Sequence, residues 1–461
     1  MLEHLDLVGI GAGPSNLSVA ALSAPIGRLR CKFLDRQPTQ RWYPGLMLSA
    51  AVLQVSHLKD LVTLVDPTSR YTFLNFLART GRLHRFASLH TPLIARREYE
   101  SYLRWVSDQL DEVQFGCEVE EVTFDGQAFR VESTRGAYAA QHLSIGVGPR
   151  PYVPEVATGK LGEEVFHSSD FGYHTDSLAG RDVVVVGGGQ SGAEVVEHLL
   201  QLSGRDAVGS LTWASRRIGF QPLDESPFTN EWFHPDYVRY FHGLSQSRRS
   251  QLLDAQQLAS DGISKGLLES IYRRLYHNDF VDSDRIRTTL LPGREVTGLC
   301  RGPGGRGWRM SLTHIDTGEI DSVGADIVVL ATGYHFPLPE FLHTLGGRIA
   351  RTTCGLPQLA ADYSVSWAGP AGNKMFFLNA GKLSHGIADP NLSLASWRAA
   401  TVLNTITEIP VYPDLRSSTC SWDVADRTAA HPPADAGVDL LTEVANDDPA
   451  PHRAEQPHAE R

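Results

Sequence analysis

The sequence lacks several features, and each absence excludes a function. No uninterrupted run of 18 apolar residues occurs, so no membrane-crossing helix is expected. No CxxC occurs either. The five cysteines, Cys31, Cys117, Cys300, Cys354 and Cys420, are odd in number and scattered. That excludes a paired-cysteine redox centre and a zinc ribbon, and it fits a reducing cytoplasm. A basic excess is also missing. Lys and Arg number 42 against 53 Asp and Glu, a formal charge of −11, so a nucleic-acid partner is not expected. The first apolar stretch, residues 5–13, has no basic flank and runs into glycines, so it reads as a strand and not as a signal peptide.

The chain has 461 residues, 42% of them hydrophobic. That length allows about two to four domains, each with its own core. Residues 5–13 (LDLVGIGAG), 14–24 and 30–35 read as strand, helix and strand, a βαβ unit at the N-terminus. A helix is expected at 97–110, then strands at 113–124, 128–133 and 141–147. A second βαβ unit spans 181–186 (RDVVVV), 193–203 and 209–215. Residues 216–280 read as an inserted helical region, 325–334 as one more buried strand, and 391–407 as a helix. Within 421–461 there are nine Asp/Glu and three Lys/Arg. Apolar surface there is too sparse to offset ordering entropy, so 413–461 is expected to be an acidic, disordered tail.

Both βαβ units carry glycine turns of the dinucleotide type. The first is Gly9-Ile10-Gly11-Ala12-Gly13-Pro14-Ser15-Asn16, with Asn16 where Gly or Ala is usual. Glycines permit the tight turn and let backbone N–H groups approach a pyrophosphate at the helix N-terminus. Asp35 ends the next strand, where a ribose-binding acid belongs. The second turn is Gly187-Gly188-Gly189-Gln190-Ser191-Gly192, a full GxGxxG. The strand after its helix ends in Ser215-Arg216-Arg217 and not in an acid. Serine and arginine accept a 2′-phosphate that an acid would repel, so the second nucleotide reads as NADPH. The alternative for the two arginines is a solvated basic pair.

Two dinucleotide folds in one chain imply electron transfer between two cofactors. By fold-level analogy the first holds a flavin, FAD, and the second, nested in the chain, holds the nicotinamide. The strand ending Ala331-Thr332-Gly333-Tyr334 reads as the return strand that closes the flavin domain. A disulfide reductase would need a cysteine pair. A dehydrogenase stays possible, and so does oxygen transfer by way of a flavin C4a-hydroperoxide.

Further motifs carry a family resemblance. They are Leu53-Gln54-Val55-Ser56-His57-Leu58-Lys59-Asp60-Leu61, Asp224-Glu225-Ser226-Pro227-Phe228-Thr229-Asn230-Glu231, Ser260-Asp261-Gly262-Ile263-Ser264 and His385-Gly386-Ile387-Ala388-Asp389-Pro390-Asn391-Leu392-Ser393. Together they resemble the microbial N-hydroxylating flavin monooxygenases of siderophore biosynthesis, and within them the lysine and diamine branch, over about residues 4–410. The resemblance implies an α/β fold of two Rossmann-like domains with a small helical substrate region. The flavin domain would occupy 1–165 and resume at 326–412, around an NADPH domain at 166–325. It implies FAD and NADPH as cofactors, oxygen as co-substrate, a small amine substrate and a possible homo-oligomer.

By the same resemblance, Pro14, Trp42 and Gln54 would line the flavin site. Thr332, Gly333, Asn391 and Leu392 would complete the cofactor contacts. Gln190, Ser191 and Arg216 would meet NADPH, and Lys59, Asn230 and Ser393 would hold the substrate. Ser393 also reads as a helix-start residue and Asn230 as a helix cap. The chain departs from the family pattern at Tyr43, Leu46, Leu53 and His57, all near where flavin and substrate should meet. His57 reads either as a polar handle for an amine or as a core histidine. A carbon or sulfur monooxygenase and a non-enzymatic flavin module remain as rival readings.

Overall fold

The computed structural model describes residues 2–48, 51–91, 93–282, 285–414, 416 and 418–422. Met1–Thr419 is one compact unit, and Cys420–Arg461 is a second. The expected acidic tail lies, from residue 423 onward, outside the described residues.

β1 (Glu3–Ile10) carries apolar side chains on both faces, as a central parallel strand must. It breaks at Gly11–Gly13 and continues as α1 (Pro14–Ser23), whose first-turn proline needs no amide partner. β2 (Cys31–Asp35) lies parallel to β1, with Cys31 opposite Leu7. α2 (Phe73–Arg79), α3 (Leu83–Ala87) and α4 (Arg96–Ser107) follow. α4 is amphipathic, burying Tyr99, Tyr102, Leu103 and Val106 against the sheet. β3 (Val113–Phe115) adds beyond β2. β4 (Val119–Phe124), β5 (Phe129–Ser133) and β6 (Gly136–Ile145) form an antiparallel meander, and β6 returns to lie parallel to β1.

After the short β7 (Arg150–Pro151) a second sheet begins with β8 (Val165–His167), β9 (Asp182–Val186), the helix α5 (Gln190–Gln201) and β10 (Ser210–Ser215). The inserted region holds α6 (Pro227–Asn230), α7 (Pro235–Gly243), α8 (Gln246–Ala255), α9 (Gln257–Asp261) and α10 (Lys265–Phe280). Then come β11 (Arg287–Pro292) and an antiparallel three-stranded sheet of β12 (Arg294–Arg301), β13 (Trp308–His314) and β14 (Ile320–Ala325). The second sheet has the order β11-β10-β9-β15-β8, where β15 is Ile327–Leu330.

That order corrects one expectation. β15 does not return to the first sheet: it pairs in parallel with β9, Val328 opposite Val184. A strand buried on both faces reads the same wherever it inserts, so its composition could not choose the sheet. β16 (Tyr334–His335) instead pairs with β7 to link the two sheets. The return strand is β17 (Met375–Phe377), parallel to β6. α11 (Lys382–His385) and α12 (Ala395–Thr407) close the chain, with α12 packed on α1. Among the described residues no helix is long and apolar enough to cross a membrane.

Candidate functional site

The first glycine turn borders a cleft of about 590 Å³. Gly11, Gly13, Pro14, Ser15, Asp35 and Trp42 line it. Gly11 has φ +87°, and a Cβ there would fall 2.6 Å from Gly146 O, so both conformation and space demand glycine. Gly13 caps α1 with no side-chain bond, which leaves the helix N-terminus free for an anion. Asp35 braces the turn, accepting from Ala12 N at 2.7 Å and from Gln37 N at 2.8 Å.

Gly9 and Asn16 work behind this surface and not on it. A Cβ at Gly9 would strike Phe33 at 2.2 Å. Asn16 is buried; its Nδ2 donates to Gly11 O at 2.7 Å and Ser144 O at 3.2 Å, and its Oδ1 accepts from Ser144 Oγ. It ties the turn to β6, which corrects its expected cofactor contact. Sequence reasoning missed Val147, Arg41 and Asn379, which line the cleft together with Tyr43. Tyr43 and Asn379 are non-glycine residues in the left-handed region, φ +50° and +69°, a strain that clusters at ligand sites. The Gly146-Val147-Gly148-Pro149 break after β6 was the one available signal for that wall.

At the second turn the glycines again permit close approach. A Cβ at Gly187 would lie 2.0 Å from Ala331 O, and one at Gly192 would lie 2.3 Å from Gly187 O. Gly189 caps α5 without a side-chain bond, and Gln190 and Ser191 open the helix. The two arginines diverge. Arg217 Nη1 donates to Asp261 O at 2.6 Å and Gly188 O at 3.4 Å, bracing the turn from behind. Its Nη1 is engaged within the chain, unlike the guanidinium of Arg216. Arg216 is 77% exposed and stands 3.7 Å from Glu295.

Gln190 joins the two halves of the site. Its Oε1 accepts from Gln54 Nε2 and from Ser264 N, both at 2.9 Å. The backbone donor fixes which end of the amide is oxygen, so Nε2 donates to Glu194 Oε1 at 3.1 Å. Glu194 takes a bidentate pair from Arg96 of α4 at 2.8 and 3.0 Å. Gln54, expected beside a flavin, and Gln190, expected beside NADPH, thus share one hydrogen bond.

Residues 3–336 match the family described as L-lysine 6-monooxygenase/L-ornithine 5-monooxygenase. The chain belongs to this family. L-lysine N6-monooxygenase of Escherichia coli is 38% identical over 409 residues, covering 88% of this chain and 95% of that protein. Putrescine N-hydroxylase of Shewanella oneidensis is 34% identical over 418 residues, covering 88% and 82%. Among solved structures, FAD-bound DfoA, the cadaverine monooxygenase of desferrioxamine biosynthesis from Erwinia amylovora, superposes with a TM-score of 0.84 at 32% identity, covering 90% of this chain and 96% of that one.

In this family member Lys59 is half-buried, and its ammonium has no ion pair or hydrogen bond among the described residues. Burial pulls its pKa below the usual lysine value. Its neighbour Asp60 is a scaffold: it accepts from Thr63 N at 2.7 Å and Phe73 N at 2.6 Å and locks the turn that presents Lys59. Asn230 is exposed at the end of α6, with one long bond, 3.4 Å, to Glu225 O.

Other candidate residues are held by contacts within the chain. Ser393 is buried and donates through both N and Oγ to Asn391 Oδ1, so the two form a helix cap. Leu392 packs on the core beside α1. His57 sits edge-on to Phe86, ring centroids 5.2 Å apart, in an aromatic cluster with Phe73. Thr332 and Gly333 bond to Tyr152 and tie the link between the sheets, outside both the cleft and the Gln54–Gln190 contact.

Proposed function

We propose that the chain is a FAD- and NADPH-dependent monooxygenase that N-hydroxylates the terminal primary amine of lysine or a related diamine, for hydroxamate siderophore synthesis. The observation that carries this reading is the pair of glycine turns, each opening a helix without a side-chain cap, with Gln190 of the second turn bonded to Gln54 at 2.9 Å. The residues suit both groups. Gly11, Gly13, Pro14, Asp35 and Trp42 would hold FAD, whose pyrophosphate meets the free N-terminus of α1. Gly189, Gln190, Ser191 and Gly192 would hold the NADPH pyrophosphate, and Arg216, exposed beyond β10, its 2′-phosphate.

When bound, FAD reduced by NADPH supplies the activated oxygen. The chain binds and orients. Lys59, a half-buried cation with no partner among the described residues, would take the carboxylate of an amino-acid substrate. An alkylamine has a pKa of about 10.4, and leaving water favours its neutral, nucleophilic form. The free thiols of Cys31, Cys117, Cys300 and Cys354 suit the reducing cytoplasm where we place the enzyme.

The test is FAD-loaded protein with NADPH and oxygen, given lysine, ornithine, cadaverine and putrescine in turn. Hydroxylamine formed is measured, because peroxide leakage also consumes NADPH. NADPH loss without hydroxylamine from any amine would refute the reading in favour of a carbon or sulfur monooxygenase or a regulatory flavin module.

A further inference from the structure

Alongside the Gln54–Gln190 contact lies a cavity of about 300 Å³ lined by α5, the start of α10, and Leu48, Ala51, Val52 and Gln54. Its wall continues along α5 through Glu194 and Glu197 to Gln201. Lys59, Asn230 and Ser393 do not line it. The lining also has an aliphatic part, with Leu48, Val52, Leu93 and Leu267.

The carboxylates in this wall are unequally balanced. Glu194 is neutralised by the bidentate pair from Arg96. Glu197 is only 5% exposed, and its donors are neutral: Gln201 Nε2 at 2.9 Å and Ser270 Oγ at 2.6 Å, both on Oε1. Oε2 has no hydrogen-bond partner among the described residues. His198, the next residue, adds no positive charge at neutral pH, because burial holds its pKa below the usual histidine value. Glu225 adds a third carboxylate to the lining, and Lys265 is drawn toward Glu269, 3.8 Å away. A buried carboxylate without a cation is unfavourable, and a ligand that brings one relieves that.

We propose that this cavity is a binding site for a small aliphatic ammonium ion, separate from the site at Lys59. The ammonium pairs with Glu197, whose carboxylate turns toward the space because Oε2 as it stands is sealed from it, and the alkyl chain lies against Leu48, Val52, Leu93 and Leu267. Glu194 and Gln190 border the same space, so an occupant touches the residues that hold Gln54. A bound amine therefore acts on the Gln54 side of the site without entering the flavin cleft. This goes beyond the hydroxylase reading, because it concerns an amine that is bound and not oxidised.

The experiment is calorimetric titration of the full-length, FAD-loaded protein with n-pentylamine at neutral pH, without NADPH, so that no turnover occurs. Saturable binding is expected in the wild type and in Lys59→Ala. Glu197→Gln, nearly isosteric and uncharged, should weaken it on the order of 10- to 150-fold, the range of a charged hydrogen bond. Leu93→Trp narrows the cavity with Glu197 in place and should weaken it too. FAD content checks folding; if Glu197→Gln fails to fold, Leu93→Trp decides. No saturable binding in the wild type would overturn the proposal. So would binding lost in Lys59→Ala but kept in Glu197→Gln, or unchanged affinity in Leu93→Trp. Hydroxylamine formation from the amine panel judges the hydroxylase reading separately.

Discussion

Arg216 and Arg217 are adjacent in sequence, and their substitution separates coenzyme choice from folding. Arg216→Ala removes a guanidinium that is 77% exposed and stands 3.7 Å from Glu295. Such a surface pair contributes about 0–1 kcal/mol, so thermal stability should hardly move. If Arg216 holds the 2′-phosphate, the substitution deletes a charge-assisted hydrogen bond of about 1.5–3 kcal/mol. Exposure to water places the loss at the lower end, about tenfold in KM for NADPH. NADH has no 2′-phosphate, and its KM should stay put. Arg217→Ala is the contrast. It removes the donor to Asp261 O at 2.6 Å and Gly188 O at 3.4 Å, and so loosens the turn itself. Stability should fall by about 1.5–3 kcal/mol, and both coenzymes should be affected alike. Steady-state KM for NADPH and NADH in the three proteins, with thermal unfolding alongside, makes the comparison. An unchanged NADPH-to-NADH ratio in Arg216→Ala, or selective loss in Arg217→Ala, would refute the reasoning.

Lys59→Ala should raise KM for lysine steeply and leave cadaverine, which has no carboxylate, little changed; equal losses would mean that Lys59 serves the fold or a cofactor. The pH profile carries the same contrast. Burial lowers the pKa of Lys59, and the charged form exists below it, so KM for lysine should climb as pH rises through that lowered value, before an ordinary lysine would titrate, beyond any trend shared with cadaverine. Gly187→Ala places a Cβ 2.0 Å from Ala331 O at φ +131°. It should cost about 1–3 kcal/mol and slow flavin reduction by NADPH while FAD is still retained, as read by absorbance under anaerobic mixing. Arg96→Met leaves Glu194 buried without its cation and should destabilise by about 3–5 kcal/mol in urea unfolding. The double variant with Glu194→Leu should recover much of that.

The two βαβ units could be read from sequence because a buried parallel strand is a nearly unbroken apolar run that ends where glycines begin. DLVGIGAG and VVVVGGGQSG announce strand, turn and helix from neighbours alone. The strands β12 to β14 gave no comparable signal, since β12 and β14 are largely exposed and not continuously apolar. β17 is three residues long and carries no pattern of its own. Its membership in the first sheet is set by β6, which ends 230 residues earlier in the chain.

Within the site the division follows the range of each interaction. Glycine turns, the cap of Asn391 on Ser393 and the lock of Asp60 on Thr63 depend on residues within a few positions, so the sequence by itself determined them. Which of two neighbouring arginines stays free was decided by Asp261, 44 positions away. The bond from Gln54 to Gln190 spans 136 positions, and the pair between Arg96 and Glu194 spans 98. Such contacts exist only once two separate sheets have each closed and packed against one another. A residue type states what a side chain can bond to; the packing of the sheets decides what it meets.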